Sequence, residues 1–110
     1  MKKYLAIYYA PWEAMKQMAT MTPEQMQAGM KPWNDWMEKH KTGLVGGGAP
    51  LMPANALSSE GKWSMSGKEV TGFSIVQAEN ADAAKKMFDG HPHLSWYPGC
   101  SVEISEFARM

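Results

Sequence analysis

The sequence predicts a ferredoxin-like α+β sandwich, one antiparallel sheet with two helices on one face. Three observations predict it. Strand and helix signals follow one another as β–α–β–(β)–β–α–β along the chain. The length, 110 residues, suits a single domain spanning 1–110 with one core. The two β-α-β units carry no dinucleotide-binding glycine fingerprint, which points away from a doubly wound parallel sheet.

The first strand is Lys3 to Ala10, aromatic and β-branched and closed by Pro11. Leu5, Ile7 and Tyr9 point one way, Tyr4, Ala6 and Tyr8 the other, and both faces are largely apolar. Such a strand is central, with helices on one side and another layer, such as a second subunit, on the other. Trp12 to Thr20 has spacing for one or two helical turns, with Trp12, Met15 and Met18 three apart. A stronger start signal follows. Thr22 is placed as N-cap, Pro23 sits at the first helical position, and Gln25 three residues on completes a capping box. Met26, Met30, Trp33, Met37 and His40 form a core-facing stripe, and Pro32 predicts a bend near Gly29 to Pro32 before the helix stops around Thr42-Gly43.

Leu44-Val45 leads into Gly46-Gly47-Gly48, read as a bulged strand passing close to other backbone or to a ligand. Phosphate cradling is the weaker reading, because neither a helix start nor a Lys-Ser/Thr pair follows. Ala49 to Gly67 is a long Pro-, Ser- and Gly-rich connection with short strands around Ala56-Leu57 and Trp63 to Met65. Val70 to Ala78 is the clearest later strand, with Phe73 and Ile75 on one face. Asn80 caps a helix over Ala81 to Asp89, whose buried face is Ala81, Ala84, Met87 and Phe88, and Gly90 ends it in a left-handed turn. The last strand, Cys100 to Phe107, alternates Cys100, Val102 and Ile104 against Ser101, Glu103 and Ser105.

Composition excludes several classes. Eleven basic residues balance eleven acidic ones with no basic stripe, so neither nucleic acid nor an anionic membrane surface is an expected partner. No apolar run reaches membrane-spanning length, and the short N-terminal run lacks a signal-peptidase site. One cysteine allows no internal disulfide, so the expected setting is the cytoplasm. The eleven methionines sit mostly at helical spacing and read as filling rather than as a soft-metal site.

Chemistry-bearing residues concentrate between Phe88 and Ile104. His91 and His93 flank Pro92, and either imidazole can act as general acid or base near neutral pH with Asp89 as the orienting carboxylate. The opposing reading is structural, a His-Pro-His turn that hydrogen-bonds carbonyls and starts the next strand. His-x-His is a weak metal signal, with no third ligand at a diagnostic spacing, so no metal ligand is assigned. Tyr8, Trp33, Trp36, Gly47, Trp96 and Tyr97 are candidates for an aromatic-walled ligand pocket, against the plainer reading of core or dimer interface.

The combination of KYLAIYY, the Thr22-Pro23-Glu24 start running to Trp33-x-x-Trp36, Leu44-Val45-x-Gly47-Gly48, Gly72-Phe73-Ser74-Ile75 and Gly90-His91-Pro92-His93-Leu94 resembles the YCII-related domain family. That resemblance implies a dimeric α/β barrel, a homodimer with facing sheets and a cleft for a small organic ligand. Some relatives are proposed to use a His–Asp pair with its histidine near the first helix; no histidine precedes His40 here. The functional expectation is a small-ligand-binding accessory protein without catalysis. The alternative is a cofactor-free lyase or isomerase acting on a small cyclic or carboxylated metabolite through His91 or His93. Neither reading calls for a cofactor.

Overall fold

A four-stranded antiparallel sheet carries the molecule, in the order β2-β5-β1-β6, with β1 at Lys2–Tyr9, β2 at Leu44–Pro50, β5 at Val70–Ala78 and β6 at Ser101–Glu106. This is the ferredoxin-like arrangement, an α+β fold in which the first strand lies between the third and fourth strands of the sheet. The computed structural model describes residues 1–109.

Strand β1 pairs on both sides, Leu5 with Ile75 and Ser105, Ile7 with Phe73 and Glu103. Period-two alternation then sorts the side chains. Tyr4, Ala6 and Tyr8 lie on the same face as Ser74 and Val76, and all five are buried under the helices. Leu5, Ile7, Tyr9, Phe73 and Ile75 lie on the opposite face and are only half-buried. A two-sided apolar strand thus has one covered face and one open one.

Three helices form, α1 at Trp12–Ala19, α2 at Pro23–Lys39 and α3 at Ala81–Met87, where two were expected. The additional one is the Trp12 segment, which makes two full turns because Ala14 is buried and Glu13 and Lys16 complement its ends. The α2 capping box is present in full: Thr22 accepts the Gln25 N–H at 3.2 Å, and Gln25 Oε1 accepts the Thr22 N–H at 2.9 Å. α2 runs through Pro32 as one helix.

Two expected faces are corrected. Met26 and Met30 are exposed, so the stripe meets the core only from Trp33 onward, where Trp36 is its buried anchor. On α3 Ala81 is exposed and not part of the buried face, while Ala83 packs beside Ala84, Met87 and Phe88. Gly90 does end that helical segment with a left-handed φ of 70°.

The Ala49–Gly67 connection contains a hairpin, β3 at Asn55–Leu57 paired with β4 at Trp63–Met65, which forms a separate two-stranded sheet. Strand β2 is longer than its Leu-Val start suggested and is bulged twice against β5, between Leu44 and Gly46 and again between Gly46 and Ala49. Gly48 makes the second bulge possible. Its φ is +71°, and a Cβ there would lie 1.7 Å from the Phe73 carbonyl oxygen.

Candidate functional site

The C-terminal end of α3 and the edge of the sheet bring His91 and His93 inward. Pro92 opens a short 3-10 turn, Pro92–Ser95, and cannot donate a backbone N–H, so the first donor of that turn is His93. His91 caps it: its Nδ1 accepts the His93 N–H at 3.0 Å. His91 and His93 are 1% and 2% exposed.

That cap fixes a tautomer. With Nδ1 accepting, the imidazole proton of neutral His91 sits on Nε2, which faces the Tyr8 hydroxyl at a long 3.5 Å. Tyr8 in turn lies 3.0 Å from Ser74 Oγ, and Ser74 donates to the Gly47 carbonyl at 3.3 Å. Donors and acceptors therefore run in one direction, from His91 through Tyr8 and Ser74 to the exposed bulge at Gly47. His93 is held separately, its Nε2 2.8 Å from the Tyr9 carbonyl.

Charge is disfavoured on both rings. Burial, followed by the neighbouring His93 and His40, pushes His91 down to about 4. Burial also lowers His93, with the Tyr9 and Ser101 carbonyls opposing it. Burial raises the Tyr8 hydroxyl, and the Ser74 hydrogen bond pulls the other way. The group is thus a neutral, hydrogen-bonded interior.

Aromatic rings fill the space around it. Trp33 meets Tyr8 edge-on at 5.0 Å and His91 at 4.5 Å, Trp36 meets His91 at 4.5 Å, and Phe88 stacks on His91 at 5.7 Å. Trp36 is anchored by its indole N–H, which donates to the Met87 carbonyl at 2.7 Å. So Tyr8, Trp33, Trp36, His91 and His93 do converge, as a packed group. Gly47 joins through Ser74, Trp96 reaches His93 with ring centroids 5.9 Å apart, and Tyr97 follows half-buried beside it. Trp33 and Trp96 are half-buried, with part of each ring at the surface.

Asp89 is not part of this group. It is exposed, and among the described residues its carboxylate bonds to neither imidazole. The left-handed turn at Gly90 separates the two: Asp89 stays on the outside while His91 turns in. Ser74 is the member the residue pattern left out, although its place on the Tyr8 face followed from alternation against Phe73 and Ile75.

Two surface depressions flank the aromatic group. One, of about 360 Å³, lies at the end of α2 between Lys39, His40, Gln77 and Met87; the other, of about 210 Å³, lies between α3 and β6 against Phe88, Asp89 and Leu94. Among the described residues no group of three or more His, Cys, Asp or Glu is arranged to hold a metal ion. No helix among them is long and apolar enough to cross a membrane.

No family model matches the chain, and no curated protein matches it. Among solved structures it is similar to 5-chloro-2-hydroxyhydroquinone dehydrochlorinase (TftG) from Burkholderia phenoliruptrix AC1100, in complex with 2,5-dihydroxybenzoquinone. The TM-score is 0.50 and the identity 15%, over 94% of this chain and 91% of that one. What the two share is the fold.

Proposed function

We propose that this protein is a YCII-like, small-ligand-binding homodimer that does no chemistry of its own, with His91 and His93 as structural residues. One observation carries the reading. His91 is sealed, with Nδ1 taken by a backbone donor and Nε2 directed at Tyr8, so neither nitrogen is free to reach a substrate proton. The half-exposed Trp33, Trp96 and Tyr97, beside the buried Tyr8, Trp36 and the two imidazoles, would be the aromatic surface that a planar organic ligand contacts. The open sheet face, with Leu5, Ile7, Phe73 and Ile75, is the surface for a second copy. A free Cys100 fits a reducing, cytoplasmic setting.

A second reading, a cofactor-free lyase or isomerase acting on a small cyclic or carboxylated metabolite with His91 as its acid–base group, is favoured by the directional chain ending at Gly47. That chain would orient the Tyr8 hydroxyl and keep the proton of neutral His91 on Nε2; it ends on a peptide carbonyl, which accepts a hydrogen bond and relays no proton.

The test is a screen of small carboxylated and phenolic compounds by thermal shift, followed by NMR of each bound compound over hours. Binding that perturbs the Trp33 and Trp96 indole N–H signals without chemical change supports the ligand-binding reading. Turnover that His91→Phe abolishes would overturn it in favour of the enzyme.

A further inference from the structure

Packing explains few of the methionines. Among the described residues Met37 and Met87 pack against the core cluster, and the other methionines do not. The expectation that methionine serves as filling therefore fails for those near the start of the chain. Three of them stand together, Met15, Met18 and Met21, in the pattern Met-x-x-Met-x-x-Met.

Local structure puts the three on one side. Met15 and Met18 belong to α1, where a separation of three residues leaves side chains about 60° apart. The helix then tightens. The Thr20 N–H donates to the Gln17 carbonyl at 3.1 Å and the Met21 N–H to the Met18 carbonyl at 3.2 Å. Both bonds span three residues, as in a 3-10 turn, so Met21 comes round nearly in line with Met18. Steps of about 4.5 Å and about 6 Å along the axis separate the three, within reach of side chains with three rotatable bonds. Met15 and Met21 are half-buried and Met18 is 38% exposed, so the group lies at the surface.

Harder donors are missing from that side. Glu13 lies about 160° round α1 from Met15, and Lys16, the basic residue of the last turn, lies about 160° from Met18. The Thr20 hydroxyl is committed to the Gln17 carbonyl at 2.8 Å, and the Gln25 side-chain oxygen to the Thr22 N–H at 2.9 Å. The negative end of the α1 dipole falls in the same turn and favours a cation. A donor set of thioethers alone suits a soft ion. It offers little to zinc, magnesium or calcium, which take thiolate, imidazole or oxygen.

We propose that Met15, Met18 and Met21 form a three-thioether site for a soft monovalent metal ion, of the copper(I) class. The site is independent of the small-ligand reading, which concerns the aromatic group. Binding involves no redox step: the ion arrives as copper(I) and exchanges weakly held ligands for thioether sulfur. Met21 directly precedes Thr22, the cap of α2, so the ion ties the end of α1 to the start of α2.

The experiment titrates silver(I), an air-stable ion of the same class, into the Cys100→Ser chain in chloride-free buffer, which removes the one competing thiol. Carbon-13 labelled methionine methyl groups report each residue by NMR, and circular dichroism checks the fold of every variant. Binding should saturate at one silver per chain. The Met15, Met18 and Met21 methyl signals should move together, while those of the exposed Met26, Met30, Met52 and Met65 stay in place. Met18→Leu keeps an apolar side chain of similar volume and should raise Kd at least about tenfold. Met21→Leu, outside the helix, repeats the test at a second position. Competition with a copper(I) chelator should show the same loss in both variants, and zinc should move none of the three signals. Silver that shifts every exposed methionine alike, a Kd that both leucine variants leave unchanged, zinc that moves the same three signals, or no saturable binding would each overturn the site.

Discussion

His91 Nδ1 accepts the backbone N–H of His93 at 3.0 Å, and this contact places the proton of the neutral His91 ring on Nε2. Protonating His91 would set an N–H against an N–H in a buried site, which adds to the burial penalty already acting on the ring.

That arrangement makes stability depend on acid. The unfolded His91 takes up a proton near pH 6.5, whereas the folded one resists until about 4. Between those values the unfolded state binds more protons, so the stabilisation is whole above pH 6.5 and is lost as pH falls towards 4. Urea titrations at pH 7 and pH 5 should differ by about 2 kcal/mol from this residue. His91→Phe should remove that part of the dependence.

Tyr4 and Tyr8 are neighbours on one face of β1 and predict opposite outcomes. The Tyr8 hydroxyl links His91 and Ser74. Tyr8→Phe leaves both without that partner in a buried site and should cost about 1–3 kcal/mol. The Tyr4 hydroxyl is buried with no hydrogen-bond partner among the described residues. Tyr4→Phe should therefore be neutral or stabilising by about 1 kcal/mol. Denaturant midpoints of the two variants decide this.

Within the glycine run, two alanine substitutions should separate sharply. At Gly48 the new Cβ would overlap the Phe73 carbonyl in a left-handed backbone. Gly48→Ala should therefore lose more than about 2 kcal/mol, or fail to fold. At Gly46 the nearest atom to a new Cβ is Ile75 Cβ at 3.9 Å, an ordinary contact. Gly46→Ala should stay within about 1 kcal/mol of wild type.

Asp89→Asn should leave the His91 and His93 ring signals unchanged across the pH range, since the exposed carboxylate touches neither imidazole. A shift in either ring would return Asp89 to the site.

Much of this was legible in the residues because local rules set it. The Thr22 box, the Asn80 cap, the Gly90 turn and the span of β5 follow from capping chemistry, left-handed backbone and period-two alternation. What stayed hidden depends on the third dimension. Periodicity groups Met26 and Met30 with Trp33, but it does not say how far along α2 the sheet reaches, and the two methionines lie beyond it. Asp89 and His91 are two residues apart, yet the Gly90 turn puts one outside and the other inside. The Ser74–Gly47 bond exists because the β2 bulges shift the register, and a run of glycines does not declare where its bulges fall.

Burial and the Nδ1 cap hold His91 neutral until pH falls towards about 4. The measurement that tests it most directly is long-range ¹H–¹⁵N NMR of the imidazoles from pH 8 to pH 5.5. The account predicts a His91 ring with its proton on Nε2 throughout and no titration in that range. A His91 ring that titrates near 6.5, with both nitrogens protonated at the acid end, would contradict it and make the acid–base reading the one to pursue.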